Sequence, residues 1–224
     1  GGATWNLFAD TGSGNVNKIL IDPTNTNKMY CSVEGGGIFK STNGGLNWSI
    51  INASANNGYD VEFKPGDTNT IYASGNNLYK STDGGLTFNF IGGFNTGPKM
   101  IGVSEANPSV VYVVQAFNGI FNGLFKSIDS GTTFSTLSHA GKNYFGYSSL
   151  ADDNNGQAPR DMDIVVNPTN ADEVHIAGIL TWKSNDGGMT FNITSQWVPQ
   201  NASAQNIGYC HADVDIMQFV GNTL

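Results

Sequence analysis

Five aspartates stand at the heads of apolar, strand-like runs: Asp60 in NGYDVEF, Asp161 and Asp163 in RDMDIVV, and Asp213 and Asp215 in HADVDIM. Side chains at i, i+2 and i+4 of a strand share one side. His211, Asp213 and Asp215 therefore align, as do Asp161 and Asp163, and Arg160, the single arginine of the chain, lies next to them. Three readings stay open for such a group. A histidine with paired carboxylates can act as acid and base, the oxygens can hold a hard cation such as calcium, or the acids are the solvated ends of inner strands. No other cofactor is implied. Two long segments add aromatic side chains that could stack on a sugar or a peptide: residues 138–159 with Tyr144, Phe145, Tyr147, Asp152 and Asp153, and residues 195–212 with Trp197, Tyr209 and His211. The competing reading is that these rings fasten their loops to the body of the protein. His139 carries no signal.

The elements that must position these residues come from internal repetition. GGGIFKSTNGGLNW at 35–48 recurs as NNLYKSTDGGLTF at 76–88, NGLFKSIDSGTTF at 122–134 and LTWKSNDGGMTF at 180–191. Each box follows a ten-residue partner: IDPTNTNKMY, FKPGDTNTIY, VSEANPSVVY or VNPTNADEVH. The box serines fall at 41, 81, 127 and 184, spacings that suit a four-stranded blade with variable loops. The box reads as a hairpin turn, in which a short carboxylate or amide bonds nearby backbone N–H groups and glycine supplies positive φ. Ser41, Asn43, Ser81, Asp83, Ser127, Asp129, Ser184 and Asp186 are thus structural residues. His175 aligns with Tyr30, Tyr72 and Tyr112 and is structural too; Trp182 and Cys31 belong to the core.

The S-x-D-x-G-x-T-W/F pattern resembles the Asp-box, or BNR, repeat of sialidase-like β-propellers. With the upstream DPTN…Y turn it is especially similar to family 74 glycoside hydrolases and to sortilin-type (Vps10) propellers. The resemblance covers nearly the whole chain and implies an all-β propeller of four-stranded antiparallel blades, at approximately 14–52, 58–92, 98–137 and 160–194. GGATW at the start matches the second half of a box, giving an outer strand at 4–10, and 211–224 reads as a truncated blade. The segment is read as a partial propeller of a longer chain. In such blades the box and PTN turns share one face, and the variable loops and the acids occupy the opposite one.

The same scaffold hosts enzymes, receptors and assembly factors, so the resemblance implies less about function. Sialidases grip a substrate carboxylate with three arginines, and photosystem-assembly propellers present an arginine-rich patch; one arginine argues against both. Family 74 hydrolysis is inverting and needs two carboxyl groups about 6.5–9.5 Å apart. Its base is an Asp in a T-D-x-G-G turn, where SVEGGGIFK places Glu34, a departure from the family. Asp163, Asp213 and Asp215 are the further catalytic candidates, and His211, Asp161, Arg160, Asp60, Tyr144, Tyr147, Trp197 and Tyr209 the candidate ligand contacts. That family draws its two acids from two propellers, so this segment holds at most part of such a site. The sequence reading is a secreted or cell-surface propeller that binds a ligand, a glycan by preference, with hydrolysis an option. The alternative is a non-catalytic protein-binding, adhesion or sortilin-like module.

Composition limits the partners. The 224 residues carry 10 basic and 18 acidic side chains, a net charge of −8, which speaks against nucleic acid, whose phosphates draw on clustered Lys and Arg. No apolar run is long enough to span a membrane. Two cysteines make no disulfide framework.

Overall fold

A computed structural model describes residues 14–224 except 53 and 222. The expected outer strand at 4–10 lies outside the described residues. The fold is all-β and is built of four-stranded antiparallel blades, each meandering from its first strand to its fourth. The first blade is β1 (Val16–Ile21), β2 (Met29–Val33), β3 (Gly37–Ser41) and β4 (Ser49–Asn52). The second is β5 (Asp60–Lys64), β6 (Asp67–Ser74), β7 (Leu78–Ser81) and β8 (Asn89–Ile91). The third is β9 (Lys99–Val103), β10 (Val111–Phe117), β11 (Ile120–Ser127) and β12 (Ser135–Leu137). The fourth is β13 (Asp163–Asn167), β14 (Asn170–Ala177), β15 (Thr181–Ser184) and β16 (Asn192–Gln196). A short helix, α1 (Pro199–Gln205), and a two-residue strand, β17 (Gly208–Tyr209), follow it.

Two compact units divide the chain: one holds residues up to Phe63 and Asp67–Gly92, the other Gly93–Leu224 with Lys64–Gly66. In each, the alternation of strand side chains sends one set of residues into a layer between two blades. In the first unit Tyr30 and Ile38 of the first blade pack with Val61, Ile71, Ala73 and Tyr79 of the second. In the second unit Tyr112, Val114 and Leu124 pack with Ile164, Val166, Val174, Ile176 and Trp182.

All four boxes join the third strand of a blade to its fourth. The serine Oγ donates to the Asp or Asn side chain two residues on, at 2.7–2.9 Å. It also accepts the N–H of the glycine four residues on, at 2.8–2.9 Å. In the three boxes with aspartate, Oδ1 accepts two further backbone N–H groups and Oδ2 accepts a threonine hydroxyl. Gly188 shows why the turn needs glycine. Its φ is +83°, and a Cβ there would stand 2.9 Å from Leu124 Cδ2.

Among the described residues, the segment 211–224, expected as the start of a further blade, forms no ladder beyond an isolated bridge between Val220 and Thr223. From residue 208 to Val214 the chain lies along the fourth blade instead. β17 pairs in parallel with β16, the Cys210 N–H donates to the Gln196 carbonyl at 3.1 Å, and the Val214 N–H donates to the Gly178 carbonyl at 2.9 Å.

Candidate functional site

The site is built on one long connection of the second unit. Residues 138–159 leave β12 and lie across the turns that join second to third strands. The Phe121 N–H donates to Asn143 Oδ1 at 3.0 Å, and the Ala158 N–H donates to the Gly119 carbonyl at 3.2 Å. Antiparallel strands put these turns on the side opposite the boxes. Asn143 is buried and staples the loop to itself, its Nδ2 donating to the carbonyls of Asp153 and Asn155 at 3.3 and 2.7 Å. Asp153 in turn accepts the N–H groups of Tyr147 and Ser148.

That staple sends two aromatics inward and one outward. Tyr144, 4% exposed, packs edge-on against Trp182, and its hydroxyl meets His139 Nδ1 at 2.9 Å. His139 Nε2 stands 2.8 Å from the Gly188 carbonyl. A carbonyl needs a donor, so Nε2 carries the proton and Nδ1 accepts from Tyr144. Burial, outweighing the Gly188 and Asp186 contributions, lowers the pKa of His139 and favours this neutral ring. Tyr144 is therefore a core residue and is corrected as a ligand contact, because a fully packed ring has no face to offer. His139, silent in the sequence, is the polar pin of that core.

Tyr147 is 38% exposed and Trp197 39%, with ring centroids 6.0 Å apart at 74°. Gln157 joins this pair to an acid, Nε2 lying 2.9 Å from the Tyr147 hydroxyl and 3.2 Å from Asp213 Oδ1. Arg160 Nε stands 3.7 Å from Asp215 Oδ1, an exposed pairing. Nothing in the sequence singles out Gln157, since an amide in a variable loop has no pattern to mark it. Tyr209 is exposed on β17, and exposed His211 sets Nδ1 3.1 Å from the Ala212 carbonyl.

The acids do not behave as one set. Asp163 spends both oxygens on backbone, Oδ1 accepting the Ile164 N–H at 2.8 Å and Oδ2 the Met217 N–H at 2.5 Å. Asp163 is thereby corrected from a catalytic candidate to a latch that ties the chain end to β13. Asp161 is 1% exposed, so as a surface ligand contact it is corrected as well. No donor reaches either of its carboxylate oxygens. Burial first, and then the negative charges of Asp213 and Asp215 beside it, push its pKa up to about 6. Among the described residues no group of three or more His, Cys, Asp and Glu side chains is placed to hold a metal ion, which leaves the calcium reading without a coordination shell.

In the first unit Asp60 is buried and ion-paired with Lys18 at 2.9 Å, with Glu62 on the same ammonium. Burial alone would lower the Lys18 pKa, but Asp60 and then Glu62 outweigh it and raise it. Asp60 is corrected from ligand contact to structural ion partner. Glu34 lies exposed in the β2–β3 turn, with Oε2 accepting from Asn15 Nδ2 at 3.2 Å.

No family model and no curated protein matches the chain. Solved structures do. An ancestral GH74 enzyme aligns over 85% of this chain and 25% of its own, with 20% identity and a TM-score of 0.64. An auxiliary nutrient binding protein from Bacteroides thetaiotaomicron aligns over 83% of this chain and 48% of its own, with 12% identity and a TM-score of 0.58. YCF48 from Cyanidioschyzon merolae aligns over 80% of this chain and 55% of its own, with 14% identity and a TM-score of 0.53. The chain thus spans from a quarter to about half the length of these structures. At such identities the likeness is one of fold, the β-propeller of four-stranded antiparallel blades. No helix among the described residues is long and apolar enough to cross a membrane.

Proposed function

We propose that this chain is an Asp-box propeller segment of a secreted or cell-surface protein, and that the side of its second unit opposite the boxes binds a glycan. The observation that carries the reading is the half-exposed Tyr147–Trp197 pair, linked through Gln157 to Asp213. Sugars combine apolar C–H faces with hydroxyl groups in fixed directions. An edge-to-face aromatic pair supplies the first contact, and an amide with neighbouring carboxylates supplies the second. Arg160 with Asp215, Tyr209 and His211 stand as candidate rim contacts. The fold likeness to an enzyme and to a nutrient binding protein is compatible with this reading.

Binding is favoured over hydrolysis by the placement of the acids. An inverting hydrolase needs a protonated carboxyl in contact with the glycosidic oxygen. Among the described residues the one acid with a raised pKa, Asp161, is buried. Affinity electrophoresis and calorimetry against a panel of soluble plant and bacterial polysaccharides test the proposal. Trp197→Ala and Tyr147→Ala should each weaken binding by roughly tenfold, the equivalent of about 1.4 kcal/mol. Binding that survives both substitutions, or absence of binding across the panel, would sink it.

A further inference from the structure

The least satisfied group in the described structure is the carboxyl of Asp161. It lies just before β13, its two oxygens are buried, and no donor reaches them. An ionised carboxylate in that position would lack every hydrogen bond that normally offsets its burial. Its neighbours are two more carboxylates, Asp213 and Asp215, both carried by the segment that runs back over the fourth blade. That segment is lightly held. Past β17 it is fixed by the Cys210 and Val214 amides and by the Met217 N–H on Asp163 Oδ2. Asp213 sits within it at φ +77°, a conformation that side chains other than glycine rarely adopt and that its surroundings must hold in place.

We propose that residues 208–217 form a proton-latched strap, closed when Asp161 carries a proton and loosened when it gives that proton up. The neutral carboxyl supplies the one missing donor: its O–H points at a carboxylate oxygen of Asp213 or Asp215, and the buried oxygens cease to be a bare charge. Loss of the proton to solvent leaves three carboxylates together with no donor between them. The charge is then relieved by moving the strap, the only carrier of two of the three. The other charged groups at this place are Arg160, which faces Asp215, and Asp163, which is held by the Met217 N–H. Arg160 offsets part of the charge on Asp215 from the solvent side and does not reach Asp161. Opening the strap also withdraws Asp213 from Gln157 Nε2, the amide that bonds the Tyr147 hydroxyl. The inference stands apart from the glycan reading, because it requires no ligand.

The sign follows from the raised pKa. The closed form binds the proton more tightly than an ordinary aspartate of 3.8, so closure is strongest below about pH 4 and weakens as pH rises through about 6. A carboxyl raised from 3.8 to about 6 corresponds to up to a ~100-fold fall in the closed-to-open ratio. The test is fluorine NMR of a trifluoromethyl tag on Cys210, a free cysteine that lies on the strap. In the wild type a second signal should grow between about pH 4 and pH 6.5 and level off above that. In Asp161→Asn, where an uncharged amide supplies the donor at every pH, the closed signal should persist throughout, with an unchanged circular dichroism spectrum. An Asp213→Asn, Asp215→Asn double variant should flatten the transition by removing the neighbouring charges. A ratio independent of pH in the wild type, or the same transition in Asp161→Asn, would overturn the proposal. So would restoration of the closed signal by calcium chloride at pH 7.5, which would mean that the cluster awaits a cation.

Discussion

Asn43 occupies the place of Asp83, Asp129 and Asp186, and a second residue changes with it. The three aspartates each pass their Oδ2 to a threonine hydroxyl four residues on, whereas the first box has Asn47 there. The amide oxygen keeps two of the three bonds of an aspartate Oδ1, to Ser41 Oγ and the Asn47 N–H, while the Leu46 N–H turns to the Asn43 backbone carbonyl at 3.4 Å and the other oxygen's bond to a hydroxyl is given up. A paired Asn43→Asp, Asn47→Thr substitution should therefore raise the melting temperature, by about 2–4 °C for each kcal/mol recovered. Neither change alone should achieve as much. The serine matters more than the acid, because it is buried and serves the Gly85 N–H at 2.9 Å. Ser81→Ala leaves that amide without a partner and should cost about 1–3 kcal/mol in a chemical denaturation curve. A midpoint equal to wild type would mean that water replaces the hydroxyl.

Between elements, one device recurs in the two units. The second strand of a blade carries near its start a tyrosine that reaches the next blade: Tyr30 OH donates to the Gly84 carbonyl, and Tyr112 OH to the Ala171 carbonyl, each at 3.0 Å. A lysine from the third strand lies over each ring, Lys40 at 5.3 Å and Lys126 at 5.2 Å from the centroid. Tyr112→Phe keeps the packing and removes one hydrogen bond, so a loss of about 1 kcal/mol is expected from urea unfolding. Tyr112→Ala removes the ring and should lose about 3–5 kcal/mol. In the fourth blade the same position is His175, which bonds Glu173 at 3.0 Å and sets its ring edge-on to Phe219. The structural reading of His175 from its alignment with tyrosines agrees with this placement, although its ring partner lies in the chain end rather than in a following blade.

For the molecule as a whole, the acids divide by the sign of their coupling to folding. Asp83 and Asp186 are held at about 2, chiefly by the threonine hydroxyl and backbone N–H bonds to their oxygens, against an ordinary 3.8. Asp129 is lowered in the same way. These carboxylates bind fewer protons when folded. Their contribution is complete above about pH 4 and disappears as pH falls through about 2. Asp161 runs the other way, contributing fully below about pH 4 and losing its contribution as pH rises through about 6. Denaturant midpoints measured from pH 2 to pH 8 should fall steeply at the acid end and decline gently between about pH 4 and pH 6.5. The Asp161→Asn variant should keep the first slope and lose the second.

Local chemistry made much of this legible in the residues alone. A box is a turn whose hydrogen bonds run between residues two to four apart, so its serine, acid and glycines announce themselves in any order of reading, and four copies in register give the blade and its strand order. The inward or outward placement of Tyr144 and Tyr147 could not be read the same way. These residues are three apart in an irregular loop, with no strand or helix period to sort them, and Asn143 decides the matter through bonds to Phe121, Asp153 and Asn155. The acids show the same limit. Asp161 and Asp163 look equivalent along a strand, yet one is buried without a donor and the other holds the Met217 amide. That difference arises only when residues 208–217, some fifty positions away in sequence, return across the fourth blade and bring their own carboxylates with them.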